Sequence, residues 1–178
     1  MASPMIRFYN TLTGKIEEFV SIEPGKVRMY NCGPTVYNYV HIGNMRSFLL
    51  GDLVRRFLEL EGYEVRQVMN ITDVGHLLED GEGREGEDRL EKQAALEKRD
   101  AWQIARFYAD AFLEDIRKLA LLPAEQYPRA TEYVPQMIAM IQALIEHGYA
   151  YESDGEVYYD LSKFPTYGRL SGNVSCNA

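Results

Sequence analysis

The densest concentration of reactive and polar side chains runs from Cys32 to Asn44, where a thiol, Thr35, two tyrosines, Asn38, His41 and Asn44 are interleaved with Gly33, Pro34 and Gly43. Gly33 and Pro34 force a turn, and from Gly43 onward the pattern is helical. A helix start offers unpaired backbone N–H groups and the positive end of the macrodipole, so the phosphates of a nucleotide are well accommodated there. Gly43 would let a ligand approach the backbone closely, and His41 could donate hydrogen bonds to phosphate oxygens. Taken singly, a histidine before a helix is more often a cap or a packed ring than a ligand, and Cys32 reads as a small buried thiol.

Such a turn needs elements on either side to hold it. Val27 to Asn31 reads as a first strand, and the helix after Gly43 places Phe48, Leu49, Leu53, Phe57 and Leu60 on one face, with Gly62 closing it. Glu64 to Met69 reads as a second strand. Strand, turn, helix, strand is a βαβ unit, which makes the strands parallel and puts ligands at their carboxyl ends, Asn31 to Thr35 and Met69 to Asp73.

Further on, Asp100 is a candidate N-cap for a helix burying Trp102, Ala105, Ala109, Phe112, Leu113, Ile116 and Leu119. A Pro-flanked connection from Pro123 to Pro128 ends it. The next helix carries Val134, Met137, Ile138, Ile141, Leu144 and Ile145 toward a core, with Pro135 tolerable in its first turn and Gly148 as its stop. Tyr149 to Tyr151 and Glu156 to Leu161, joined through Ser153, Asp154 and Gly155, read as a β-hairpin.

The chain has 178 residues, 46% of them hydrophobic and 26% charged, in keeping with an ordinary globular protein and not with a collagen, a disordered tail or a disulfide-stapled miniprotein. The formal charge of −8 is unevenly spread: residues 1–70 carry a net +1 and residues 71–178 a net −9. Six of the ten residues from Glu79 to Asp88 are acidic, with three glycines among them, so that segment reads as a solvated loop. No basic stripe follows residue 70, which disfavours an autonomous RNA-binding module. The two cysteines, Cys32 and Cys176, stand far apart with no signal-peptide pattern ahead of them, and no apolar run is long enough to span a bilayer. A cytoplasmic protein with no membrane role is expected.

The order of these blocks resembles the class I aminoacyl-tRNA synthetases, and among them the cysteinyl-tRNA synthetase family. The resemblance rests on Phe8 to Thr13, Met29 to Tyr37, the signature His41, Ile42, Gly43, Asn44, then Asn70 to Asp73, Pro128 to Thr131, and Thr166 to Gly168 with Leu170 and Ser171. It implies an α/β fold whose Rossmann-like parallel sheet is the first half of the family's HIGH-type nucleotide-binding domain, in residues 1–78. Residues 79–178 would hold the acidic loop, a mainly helical connective insertion and the hairpin.

The implied activity is ATP-dependent conversion of cysteine to cysteinyl-adenylate and its transfer to tRNA-Cys. By this resemblance His41 and Asn44 act in catalysis, and His41, Gly43, Asn44 and Ser47 bind ATP. Asn44 stands where the family's signature has a second histidine; its amide can donate a hydrogen bond but cannot become cationic. Cysteine would bind beside Cys32, Gly33, Pro34, Thr35, Asn70 and Thr72, with Cys32 as the first ligand of the family's zinc, the ion that selects a thiolate over a hydroxyl. One cysteine cannot complete a tetrahedral site. Cys176, His76 and His147 match no ligand position, and the two histidines read as a loop residue and a helix-end cation.

The family's lysine-rich KMSKS-like loop would lie beyond residue 178, so little cysteine-dependent ATP/pyrophosphate exchange, and weak or no tRNA binding, is expected of these residues alone. Two other readings stay open at this point. One is a non-catalytic fragment or degenerate paralogue that binds ATP or cysteine. The other is the related ligase joining cysteine to an amino sugar.

Overall fold

The computed structural model describes residues 5–74 and 100–172. The chain divides into two units, one formed by Met1–Ser21 with Pro135–Ala178 and the other by Ile22–Val134. The expected boundary at residues 78 and 79, the acidic loop, His76 and Cys176 all lie outside the described residues.

The chain-end unit begins with a hairpin that the sequence reading did not anticipate, β1 (Arg7–Asn10) paired antiparallel with β2 (Lys15–Glu18). Its loop is built by Asn10, whose side-chain oxygen accepts the Leu12 N–H at 3.0 Å while its carbonyl accepts the Gly14 N–H at 2.8 Å. Such a side chain imitates a backbone turn, which is why Asn opens loops of this kind.

In the central unit, β3 (Lys26–Asn31) and β4 (Glu64–Met69) are parallel, in register from Lys26 opposite Glu64 to Asn31 opposite Met69. The crossover helix α1 (Ile42–Leu60) joins them, as the βαβ reading expects. Residues 125–130 run along the other edge of β4: the Met69 N–H donates to the Gln126 carbonyl at 3.1 Å and the Ile71 N–H to the Pro128 carbonyl at 2.8 Å. β4 is thus flanked on both sides. Its register is fixed at the end where β3 runs out into Cys32.

The face of α1 that packs inward is not the expected one. Phe48 is buried, but Leu49, Leu53, Phe57 and Leu60 are exposed, and the buried stripe is Met45, Phe48, Gly51, Asp52 and Leu58. Polar contacts that no hydrophobic periodicity can register select this face. Asp52 is 5% exposed; its carboxylate accepts the Arg56 Nε–H and the Leu122 N–H, both at 2.7 Å, and Arg56 also donates to the Ala120 carbonyl. Arg55 donates to the Pro123 carbonyl at 2.8 Å. At Gly51 an added Cβ would lie 2.4 Å from Asn31 Nδ2, so a larger residue there would have to displace the Asn31 amide, whose oxygen accepts from Gln67.

Helix α2 (Ala101–Lys118) buries Ile104, Ala105, Tyr108, Ala109, Phe112 and Ile116. Phe112 meets Phe48 of α1 edge to face, with ring centroids 5.2 Å apart, in a cluster with Met45, Met69 and Leu121. A second cluster joins Val36 and Ile71 to Ile104 and Tyr108. Trp102, expected in the core, is 60% exposed because it sits at the edge of this stripe in the first turn; Leu119, past its end, is exposed too. Asp100 is the N-cap residue, although its side chain makes no capping hydrogen bond.

In the chain-end unit, α3 (Val134–Glu146) keeps Pro135 in its first turn and ends at Gly148. None of its residues is buried; Met137, Ile138, Met140 and Ile141 form an apolar face left uncovered among the described residues. One His147 ring nitrogen lies 2.6 Å from the Ala143 carbonyl, a helix-end position as expected. The hairpin of β5 (Ala150–Ser153) and β6 (Glu156–Tyr159) turns through Asp154 and Gly155, both with positive φ, the tight turn that an Asp-Gly pair favours.

Candidate functional site

β3 ends at Asn31, and the chain turns through Cys32, Gly33 and Pro34 at the carboxyl edge of the sheet. Pro34 to Val36 then pair with Thr72 beyond the end of β4: the Thr72 N–H donates to the Pro34 carbonyl at 3.0 Å and the Val36 N–H to the Thr72 carbonyl at 3.1 Å. This short parallel bridge holds the two strand ends together. Between the turn and the start of α1 lies a cavity of about 310 Å³, lined by Gly33, Pro34, Thr35, His41 and Asn44 together with Tyr37, Asn38, Tyr39, Val40 and Phe48.

His41 is the N-cap of α1, and its Nδ1 accepts the Gly43 N–H at 3.0 Å. An Nδ1 that accepts carries no hydrogen, so this geometry belongs to the neutral ring with its proton on Nε2. The imidazole therefore both satisfies an orphan helix donor and presents an Nε2–H donor. Gly43 is required for the fold-back: a Cβ there would lie 2.8 Å from His41 Cε1 and 3.0 Å from Nδ1. The two glycine-dependent features of the rim, at Gly33 and Gly43, are both close approaches rather than unusual dihedral angles.

Asn70 and Thr72 stand behind the turn. Asn70 Oδ1 accepts the Gly33 N–H at 3.0 Å and the Tyr30 hydroxyl at 2.9 Å, and Asn70 Nδ2 donates to Thr72 Oγ1 at 3.1 Å. One residue further, Asp73 is 4% exposed and accepts both the Thr131 N–H at 3.0 Å and the Thr131 hydroxyl at 2.7 Å. That pair pins the segment after Pro128 to the rim.

The structure thus gathers Gly33, Pro34, Thr35, His41 and Asn44 around one cavity, with Gly43 beneath His41. Cys32 and Ser47 are exposed and do not line it, nor do Asn70 and Thr72. Cys32, read singly as a buried thiol, is instead open to solvent, with Sγ 3.7 Å from the Gly33 carbonyl. The sequence reading missed Asn38, Val40 and Phe48 as lining residues. Phe48 could have been found, since it lies on the first inward turn of the helix that begins at the signature. Tyr39 forms an aromatic wall, packing edge to face on Tyr108 at 5.1 Å and Phe107 at 6.1 Å.

A zinc ion held by protein alone needs about four donors. Among the described residues no three or more His, Cys, Asp or Glu side chains converge so as to hold a metal ion. Cys32 offers one sulfur there, and the described residues do not fit a closed zinc site.

Residues 18–177 match the family described as tRNA synthetases class I (C) catalytic domain. A cysteine–tRNA ligase of Limosilactobacillus reuteri is 49% identical over 168 residues, which are 94% of this chain and 33% of that protein. Another, of Novosphingobium aromaticivorans, is 45% identical over 95% of this chain and 34% of its own length. A third, of Chlorobium luteolum, is 43% identical over 98% of this chain and 36% of its own. The chain therefore spans about a third of the length of these curated relatives. A solved structure from Campylobacter jejuni, provisionally described as an arginyl tRNA synthetase, superposes with a TM-score of 0.52 at 17% identity, covering 80% of this chain and 39% of its own. At that identity the likeness concerns the fold, a Rossmann-like α/β arrangement.

Proposed function

Because this chain belongs to the family of class I (C) tRNA synthetase catalytic domains, we propose that it works in the ATP-dependent activation of cysteine and the attachment of that cysteine to tRNA. The observation that carries this reading is the cavity of about 310 Å³ at the strand ends, whose lining brings together Gly33, Pro34 and Thr35 with His41 and Asn44. One wall suits an amino acid and the other suits phosphates.

On the phosphate side, the N-terminus of α1 brings partial positive charge, and the Nε2–H of His41 supplies a donor. Adenylate formation places growing negative charge on the oxygens around phosphorus, so donors fixed before the reaction stabilise the transition state without reorganising. Asn44 adds an amide donor. Ser47, one turn along the same helix and outside the cavity lining, would extend the ATP side only for a ligand that reaches past Asn44. On the amino-acid side, Gly33, Pro34 and Thr35 supply backbone and a hydroxyl, and Cys32 stands at the outer edge, its thiol available to a ligand or an ion. No helix among the described residues is long and apolar enough to cross a membrane. By its family, the substrates of the whole enzyme would be cysteine, ATP and tRNA, met in the cytoplasm.

Nuclear magnetic resonance of the amide-labelled chain tests the assignment of walls. ATP is expected to shift the amides of His41 to Ser47 and cysteine those of Gly33 and Thr35. Shifts confined to surfaces outside the central unit would contradict it.

A further inference from the structure

We propose that Asn70 is a positioning residue, which holds the Cys32–Gly33 turn through the Gly33 N–H and sets the direction in which the Thr72 hydroxyl donates its hydrogen. The proposal rests on the reading above, that this rim receives the amino acid, and gives Asn70 a role behind the site in place of direct contact with the ligand.

The orientation of the Asn70 amide follows from its neighbours. A backbone N–H can only donate, so the atom 3.0 Å from the Gly33 nitrogen is Oδ1 and the atom facing Thr72 is Nδ2. Oδ1 also accepts the Tyr30 hydroxyl, which occupies both of its lone pairs. Asn70 has no acceptor left for a substrate. Thr72 Oγ1, outside the cavity lining, accepts from Nδ2 and so has its own O–H directed away from Asn70, toward any acceptor that a ligand brings to this strand end. The backbones meet equally closely: a Cβ on Gly33 would lie 1.7 Å from the Asn70 carbonyl oxygen. One half-buried side chain therefore couples β3, the turn and the end of β4.

The test uses the whole chain carrying Cys176→Ser, so that iodoacetamide reads Cys32 alone, with Gly33 amide exchange followed by nuclear magnetic resonance. Asn70→Ala is expected to speed Gly33 exchange at least tenfold, to change the Cys32 alkylation rate at least threefold, and to weaken a non-hydrolysable cysteinyl-adenylate analogue about tenfold. Asn70→Asp keeps the acceptor and should return the Gly33 and Cys32 readouts to within about twofold of the parent. It turns the Thr72 hydrogen inward, so the affinity for the analogue should stay low. Parental Gly33 and Cys32 behaviour in Asn70→Ala would overturn the proposal. So would fast Gly33 exchange in a folded Asn70→Asp, which also decides the matter if Asn70→Ala does not fold. Should the parent fail to bind the analogue while Gly33 and Cys32 respond as expected, the reading of the ligand fails and the positioning role stands.

Discussion

His41 and Gly43 make one device, since the ring can fold back onto the helix start only where no Cβ obstructs it. Gly43→Ala improves helix propensity by up to about 1 kcal/mol but disturbs a cap of about the same value, so thermal stability should barely change. The affinity for ATP should nevertheless fall roughly tenfold, about 1.4 kcal/mol, because the Nε2–H donor is displaced. Titration of ATP into wild type and variant checks this; equal affinities would show that the ring's placement does not matter. Asn44→His restores a group that can become cationic beside phosphates, and ATP is expected to bind more tightly, with the gain growing as pH falls through the imidazole range. At this scale the sequence was informative about which residues cluster, because Cys32 to Asn44 are contiguous. It was silent on hydrogen-bond direction. That Asn70 spends its side-chain oxygen on Gly33 and Tyr30, and Asp73 its carboxylate on Thr131, depends on contacts between segments distant in the chain.

The helices show how element ends and faces are specified. α1 and α2 end alike: the Tyr63 N–H reaches the Leu58 carbonyl and the Leu121 N–H the Ile116 carbonyl, with the residue before each in the left-handed region. In α1 that residue is Gly62, at φ 90°, but in α2 it is Ala120, at φ 54°. An L-residue there costs roughly 1–2 kcal/mol, partly offset by the greater freedom of glycine in the unfolded chain. Ala120→Gly should therefore stabilise the protein by about 0.5 kcal/mol and Gly62→Ala should destabilise it by about 1 kcal/mol, as read from chemical denaturation. A loss on Ala120→Gly would show that the strain is relieved elsewhere. Phe112 is 1% exposed and joins α2 to Phe48, so Phe112→Ala should cost about 3–5 kcal/mol.

The last turn of α2 also carries a pH-sensitive pair. The Lys118 ammonium, hydrogen-bonded to Glu114, holds that carboxyl below its ordinary value, while Glu114 holds Lys118 above its own. The carboxylate's contribution is present above its unfolded-state value and lost as pH falls through the folded one. The ammonium's is present below its unfolded-state value and lost as pH rises through the folded one. Glu114→Gln and wild type should therefore differ, slightly and in a salt-sensitive way, near neutrality and converge in acid. The positions of β3, β4, the three helices and the β5–β6 hairpin were legible from periodicity and from Gly62 and Gly148. The inward face of α1 was not, because Asp52, Arg55 and Gly51 choose it through polar contacts and close approach.

For the whole molecule, the βαβ core was legible because β3, α1 and β4 follow one another directly. The third segment of the sheet, residues 125–130, was not: its alignment with β4 comes from hydrogen bonds across a long sequence separation, and Pro123 and Pro128 disguise it as a connection. The β1–β2 hairpin escaped for a different reason, its strands being short and mostly exposed, with little apolar alternation to betray them. The charge distribution fits this plan. The cavity lies within the near-neutral first 70 residues, and the net −9 of the remainder offers no phosphate-binding stripe of its own.

Whether the rim from Gly33 to Asn44 receives cysteine and ATP together is tested most directly by titration calorimetry with a non-hydrolysable cysteinyl-adenylate analogue. One analogue should bind per chain, with affinity weakened at least tenfold by His41→Ala and the fold unchanged. The absence of binding, or binding that His41→Ala leaves untouched, would contradict joint reception at this rim.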